Sequence, residues 1–178
     1  MTTTPLPEDA KGRFEAKVRE CFGFLEDVGR MRFGGVREVG GKDPRDRSLV
    51  ARFSRDDLRA DIGWNGFERS LAVLLLFRRD DLAQYERHVY LEPFIEFLTG
   101  GETAALVPYV RVGMSVGQLR SVMEERVRLL ETGRDAILEA LGERMASFME
   151  QVESASSDTI REYHRWMNSG GRHGVRGP

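Results

Sequence analysis

The sequence predicts an α+β fold: an N-terminal helix, an antiparallel meander of three or four strands with an Asn-Gly hairpin, and a C-terminal helical part. Apolar residues recur at helical spacing between Ala10 and Val28 and again beyond Ser115, whereas residues 48–77 alternate as strands do. The dipeptide Asn65-Gly66 separates two strand-like runs. Asn-Gly is the strongest short-range hairpin signal, because a type I′ turn needs positive φ at both central residues.

The first predicted element is an amphipathic helix from Ala10 to Val28, which Gly29 is expected to end. Residues 1–9 are polar and carry two prolines, so we expect a disordered leader there. The apolar stripe of the helix consists of Phe14, Val18, Phe22 and Leu25, with Cys21 and Val28 widening it.

The strands follow the helix. Residues 30–39 fit an irregular first strand in which Gly34-Gly35 marks a bulge or bend, and residues 40–47 have the composition of a loop. Strand character returns at Ser48–Ser54 and continues in the hairpin. The strand Leu71–Phe77 is apolar on both faces, which is typical of a central strand or of one that is covered by a partner.

A two-residue turn at Asn65-Gly66 would set the register of the hairpin. Trp64 would face Phe67, Ala60 would face Leu71, and Leu58 would face Val73, all on the inward face, with only Arg69 opposite Ile62 interrupting it. We expect the N-terminal helix to pack on this inward face. The outward face would divide into charged residues on one strand (Asp57, Arg59, Asp61) and apolar residues on the other (Ala72, Leu74, Leu76).

The remainder of the chain is predicted to be helical. A short helix through Tyr85 and another over Leu91–Leu98 precede an irregular stretch, and Ser115 to Gln118 matches a capping box. Two apolar stripes then run through residues 116–153. They form either one bent helix or two helices, with a break favoured at Thr132-Gly133. We divide the chain into the leader, one domain over residues 10–153, a short C-terminal helix over 154–168 and a disordered tail over 169–178.

Composition excludes several classes of site. The chain has one cysteine, so it can form neither an intrachain disulfide nor a cysteine-based zinc site, and none of its three histidines has metal-ligand spacing. Phosphate-binding and nucleophile motifs are absent from the sequence, so we predict no catalytic residue, no metal and no cofactor. No apolar run reaches transmembrane length, and we expect a cytoplasmic bacterial protein.

The favoured function is non-enzymatic protein–protein interaction, with a protein partner or self-association. Residues 30–59 carry excess arginine and the C-terminal helices excess acid, and the predicted outward face combines charged with apolar residues. Self-association could also use the helix that carries Met145 and Met149. The candidate interface residues are Asp57, Arg59, Asp61, Ala72, Leu74 and Leu76.

Two alternatives stay open. The first is a small enzyme or ligand-binding domain with a pocket between sheet and helices, for which the candidate residues are His88, Asp57, Asp61 and Tyr85. The second, weaker alternative is nucleic-acid binding, which the basic segment suggests but which lacks interleaved aromatic residues and a groove-entering motif.

Three runs of the sequence resemble small bacterial α+β proteins. They are FGFLEDVG (22–29), VARFSRDDLRADIGW (50–64) and FERSLAVLLLF (67–77). In such proteins an N-terminal helix precedes a strongly bent antiparallel sheet and further helices follow, and some of them resemble immunity-type neighbours of secreted toxins. The resemblance spans about residues 14–150 and implies an immunity-like or accessory role, but it assigns no functional residue.

Overall fold

A computed structural model describes residues 9–40, 47–65 and 70–171. Within these residues lie six α-helices, one 3₁₀ helix and a five-stranded antiparallel sheet whose strands follow chain order. The predicted α+β class is confirmed. The elements are α1 (Ala10–Phe22), α2 (Phe24–Asp27), β1 (Arg32–Val39), β2 (Ser48–Ser54), β3 (Leu58–Asn65), β4 (Ser70–Phe77), the 3₁₀ helix (Gln84–Arg87), β5 (His88–Tyr90), α3 (Leu91–Leu98), α4 (Val116–Thr132), α5 (Arg134–Ser154) and α6 (Ser157–Asn168).

Two boundaries differ from the sequence prediction. The strand β5 is a fifth strand, where three or four were predicted. It is not predicted from the sequence because three residues are too few to show an alternating pattern. The helix predicted from Ala10 to Val28 is interrupted at Gly23, where glycine's low helix propensity allows the break between α1 and α2. Most of the predicted leader 1–9 and tail 169–178 lies outside the described residues.

The sequence predicted the start of α4 and the break between α4 and α5, whereas the last helix, predicted over 154–168, begins at Ser157. At the start of α4 the capping box is present: Gln118 N–H donates to Ser115 Oγ at 3.3 Å, and Ser115 N–H donates to Gln118 Oε1 at 2.8 Å. Gly133 separates α4 from α5 with φ of 119°, a value that side-chain-bearing residues rarely adopt. Residues 116–153 therefore form two helices rather than one bent helix.

The predicted hairpin register is wrong by four residues. Leu58 pairs with Phe77, Ala60 with Leu75 and Ile62 with Val73, and the last pair of the ladder is Asn65 with Ser70. Asn65 is thus the last residue of β3 rather than the first residue of a two-residue turn, and residues 66–69 lie outside the described residues. This register places Val73, rather than Arg69, opposite buried Ile62. Because four is an even shift, each side chain keeps its predicted face.

The glycine pair in β1 forms the predicted bulge. The pairing of β1 with β2 shifts between Phe33 and Val36, and Gly35 has φ of 82°. The bulge restores alternation beyond it, so Val36 is buried while Arg37 lies opposite Val50 on the other face of the sheet.

The helices pack on one face of the sheet, which we call the inner face. Buried inner-face residues of every strand join buried residues of α1, α3, α5 and α6 in one core. The helix α1 packs on β1 and β2 rather than mainly on the hairpin as predicted, and α3 and α5 pack on β4. Met145 and Met149 are buried in this core and form no surface for self-association. An aromatic cluster of Phe77, Phe94, Phe97, Tyr163 and Trp166 fills the end of the core near α6.

The contact between α1 and α5 depends on Gly142. A Cβ built on Gly142 would lie 2.5 Å from the carbonyl oxygen of Cys21, so a side chain there must push the helices apart. We expect Gly142→Ala to lower the free energy of unfolding, measured by urea denaturation, by about 1–3 kcal/mol. Gly12→Ala is the control: nothing lies within 4 Å of a Cβ there, and removing a helical glycine should stabilise the protein by up to about 1 kcal/mol.

Candidate functional site

The face of the sheet opposite the core, which we call the outer face, is formed by the strand residues that alternate with buried ones. Successive side chains of a strand point to opposite faces, so pairing places these residues in rows across the sheet. The rows are Arg32, Ser54, Arg59, Leu76 and His88; Arg52, Asp61, Leu74 and Tyr90; Arg37, Val50, Gly63 and Ala72; and Val39, Ser48, Asn65 and Ser70.

An arginine–aspartate pair lies at the centre of the outer face. Arg52 donates to both carboxylate oxygens of Asp61, through Nε at 2.8 Å and Nη2 at 3.0 Å. Arg59 Nη2 lies 3.4 Å from the same carboxylate. The side chain of Asp61 is only 10% exposed, and its buried charge is compensated by these two guanidinium groups.

Positive charge exceeds negative charge around this pair. Burial lowers the pKa of Arg59, and the nearby positive charges of Arg52, Arg78 and Arg37 lower it further, against the opposing effect of Asp61. Within the described parts of the chain, Arg32, Arg37 and Arg78 form no ion pair. Among the described residues, positive charge on the outer face therefore exceeds negative charge.

A cavity of about 580 Å³ opens on the outer face beside the hairpin end of the sheet. Gly63 and Ala72, which pair directly with each other, line it where the other rows carry larger side chains. Its further lining comes from Tyr90 and from the chain segment 107–110, which follows α3, and its volume is in the range of ordinary ligand pockets. The lining also includes Arg37, Asp61, Leu74, Pro93 and Arg126.

Two buried carboxylates of α3 hold the segment that lines this cavity. Glu92 accepts a hydrogen bond from the backbone N–H of Leu106 and forms an ion pair with Arg144 at 3.3 Å. Glu96 accepts a hydrogen bond from the hydroxyl of Tyr109 at 2.7 Å and one from the guanidinium of Arg111. Both glutamates are about nine-tenths buried.

A further hydrogen bond ties the segment to α4, since Arg126 Nε donates to the carbonyl oxygen of Pro108 at 2.7 Å. Burial raises the pKa of the Glu92 carboxyl, although the hydrogen bond from Leu106 and the charge of Arg144 oppose this effect. Segment 107–110, which has no helix or strand of its own, is thus fixed by charged side chains on two helices, α3 and α4.

Five of the six predicted interface residues share the outer face. Arg59 lies opposite Leu76, Asp61 lies opposite Leu74, and Ala72 lies opposite Gly63. The sixth, Asp57, precedes β3 and does not belong to these rows. Its carboxylate accepts a hydrogen bond from Arg55 Nε at 2.6 Å, and this bond is the main cause of its lowered pKa.

The structure does not bring the candidate enzyme residues together. Asp61 is bound by Arg52, and Asp57 lies in the turn between β2 and β3. His88 is two strands away from Asp61 on the outer face, on the order of 10 Å between backbones at the usual strand spacing. Tyr85 lies in the 3₁₀ helix with 73% of its surface exposed.

The described residues contain neither a metal-binding cluster nor a membrane-spanning helix. Among them, no group of three or more histidine, cysteine, aspartate or glutamate side chains is placed to hold a metal ion. The same part of the chain contains no helix with both the length and the apolar character that crossing a membrane requires.

Some residues of the site were missed from the sequence. Gly63 is one of them, although a glycine inside a strand is itself a signal of close approach by another group. Arg37 and Tyr90 reach the outer face through a bulge and through an unpredicted strand. The contribution of segment 107–110 has no local signal in the sequence.

No protein-family model matches the chain, and comparisons with curated proteins and with solved structures find no match either.

Proposed function

We propose that this protein acts by binding another protein through the outer face of its sheet. It is supported by this face lying opposite the helices and combining an apolar centre with Arg32 and Arg37, which have no carboxylate partner among the described residues. Leu74 and Leu76 lie there half-buried, and Tyr90 is 53% exposed. A surface of this composition fits a partner that presents apolar side chains together with acidic ones.

A protein partner is favoured over nucleic acid for two reasons. Single-stranded nucleic acid binds to several exposed aromatic side chains on which successive bases stack. Of the three aromatic residues that line the cavity, only Tyr90 is exposed, whereas Trp64 and Tyr109 are partly buried against the core. The middle of the face also holds the carboxylate of Asp61 beside Leu74, and a buried acid next to a leucine suits a protein surface better than a phosphate backbone.

The proposed activity is non-enzymatic. Its support is that the side chains suggested as an enzymatic group lie apart, while five of the six residues suggested as an interface lie in adjacent rows. An immunity-like or accessory role, which the sequence resemblance implies, is one form of this function. In that form the partner would be a toxin whose acidic and apolar surface seats on the outer face.

The test uses Arg37→Glu and Tyr90→Ala, two exposed positions on opposite sides of the apolar centre. We expect tagged wild-type protein to retain a stoichiometric partner from a lysate of the source organism, and each variant to lose it, because charge pairing and an aromatic contact are removed in turn. The measurement is quantitative mass spectrometry of the proteins retained.

Matched controls separate this surface from general charge effects. Lys11→Glu makes the same charge change as Arg37→Glu at an exposed position of α1. Tyr85→Ala removes an exposed tyrosine that does not belong to the rows of the outer face. Both controls should retain the partner. Equal retention by wild type, Arg37→Glu and Tyr90→Ala, or a shift of DNA or RNA mobility that Arg37→Glu abolishes, would contradict the proposal.

A further inference from the structure

We infer that the cavity over Gly63 and Ala72 is the anchor pocket of the outer face. It binds a bulky apolar side chain of the partner protein, and the residue next to that side chain in the partner's sequence is Asp or Glu. This inference rests on the proposed function and narrows it to one occupant: an acidic segment of a protein partner with an aromatic or leucine side chain. Three features of the cavity carry it.

The first feature is a glycine that the fold does not need. A Cβ built on Gly63 meets no atom closer than 3.9 Å, and its φ lies outside the range that favours glycine. A strand-interior glycine lowers stability, and here neither packing nor backbone conformation requires it. What the missing side chain provides is space, since Gly63 and Ala72 leave a depression between Val50 and Leu74.

The second feature is the lining around this depression. Leu74, Pro93, Val107, Pro108 and Val110 supply apolar surface, and the volume of about 580 Å³ exceeds that of any single side chain. The hydrogen bonds of Glu92, Glu96 and Arg126 hold the lining segment in place before any partner binds. A pocket that is fixed in advance costs little ordering on binding, which is the property of an anchor site.

The third feature is the charge at the edge of the cavity. Arg37 lines the cavity, is exposed, and has no carboxylate partner within the described residues. Two carboxylates also line the cavity, and both are already paired: Asp61 is bound by Arg52, and Glu92 forms an ion pair with Arg144. The charge left for a partner is therefore positive, and it lies beside the apolar depression, so the complementary segment places an acid next to its apolar residue.

The experiment selects random twelve-residue peptides displayed on phage against the wild-type protein, and then measures the affinity of enriched synthetic peptides by fluorescence anisotropy. Gly63→Leu fills the depression and should fold with an unchanged or higher melting temperature. Gly117→Leu is the matched control, because Gly117 is exposed on α4 with no atom within 3.9 Å of a Cβ.

We expect enriched peptides to carry an aromatic residue or leucine next to Asp or Glu, to bind Gly63→Leu about tenfold or more weakly, and to bind Gly117→Leu as they bind the wild type. Peptides that bind Gly63→Leu as tightly as the wild type, or a selection that enriches no such pattern, would overturn the inference. The proposed function is tested separately by the capture experiment, and it is contradicted if Arg37→Glu and Tyr90→Ala retain the partner as the wild type does.

Discussion

Replacement of Phe94 by alanine is expected to lower the free energy of unfolding by about 3–5 kcal/mol, as for other fully buried aromatic residues. Phe94 has no exposed surface and lies at the middle of the aromatic cluster. Its ring meets Tyr163 edge-on at 5.2 Å between centroids and Phe77 at 6.1 Å, so its loss opens a cavity where α3, α6 and β4 meet. Urea denaturation followed by circular dichroism measures the change.

The control for this substitution is Tyr85→Ala. It removes an aromatic side chain of similar size that is 73% exposed, and it should change stability by less than about 0.5 kcal/mol. If both variants unfolded at the same urea concentration as the wild type, the cluster would not be the end of the core that we describe.

Arg144→Met is expected to lower the free energy of unfolding by about 3 kcal/mol. Its loss leaves the carboxylate of Glu92, whose side chain is 8% exposed, without the cation that compensates it. Breaking such a pair costs more than the pair contributes, because the remaining charge stays buried. Breaking a buried ion pair costs about 3–5 kcal/mol, and we place the effect at the lower end of that range because the Arg144 side chain is 19% exposed.

The deficit of Arg144→Met should depend on pH with a defined sign. Burial raises the pKa of Glu92 above its ordinary 4.5, so the folded state binds its proton more tightly than the unfolded state does. Stability contributed by this group is therefore complete below pH 4.5 and falls as pH rises through the raised pKa. Removing Arg144 raises the pKa of Glu92 further, because its positive charge opposes the effect of burial. The deficit should thus be large at pH 7 and small near pH 4.

A second substitution checks the assignment to Glu92. In the double variant Glu92→Met/Arg144→Met neither charge of this pair is left buried without its partner, so we expect it to be more stable at pH 7 than Arg144→Met alone. A double variant that is less stable than the single one, or a deficit that does not change with pH, would show that Arg144 acts only through its packing and its hydrogen bond to Ala104.

The sequence predicted the elements with local signals well. Ser115 and Gln118 begin α4 as a capping box, Gly133 ends it, and the glycines of β1 form the expected bulge. The predicted hairpin register is wrong because it rests on the Asn-Gly turn signal, whereas the observed register places apolar residues opposite one another in the core. A two-residue turn would have put Arg69 opposite Ile62, whereas the observed pairing puts Val73 there.

The candidate site was predictable only in part. Strand alternation placed Arg59, Asp61 and Leu74 on one face, and that assignment survives the change of register because the shift is even. The cavity depends on contacts between distant residues, such as Glu92 with Leu106 and Arg126 with Pro108. Long-range hydrogen bonds of this kind leave no periodic pattern in one sequence, so segment 107–110 could not be placed on the outer face in advance.

The outer face is the surface on which we propose that the partner binds. This proposal is tested most directly by amide chemical-shift mapping, in which the nitrogen-15-labelled protein is titrated with the protein that the wild type captures. We expect the largest shifts at β1–β4 residues of the outer face and in segment 107–110, with Gly63 and Ala72 among them. Shifts confined to the exposed surfaces of α1, α4 or α5, with the amides of Arg37, Gly63 and Ala72 unchanged, would contradict it.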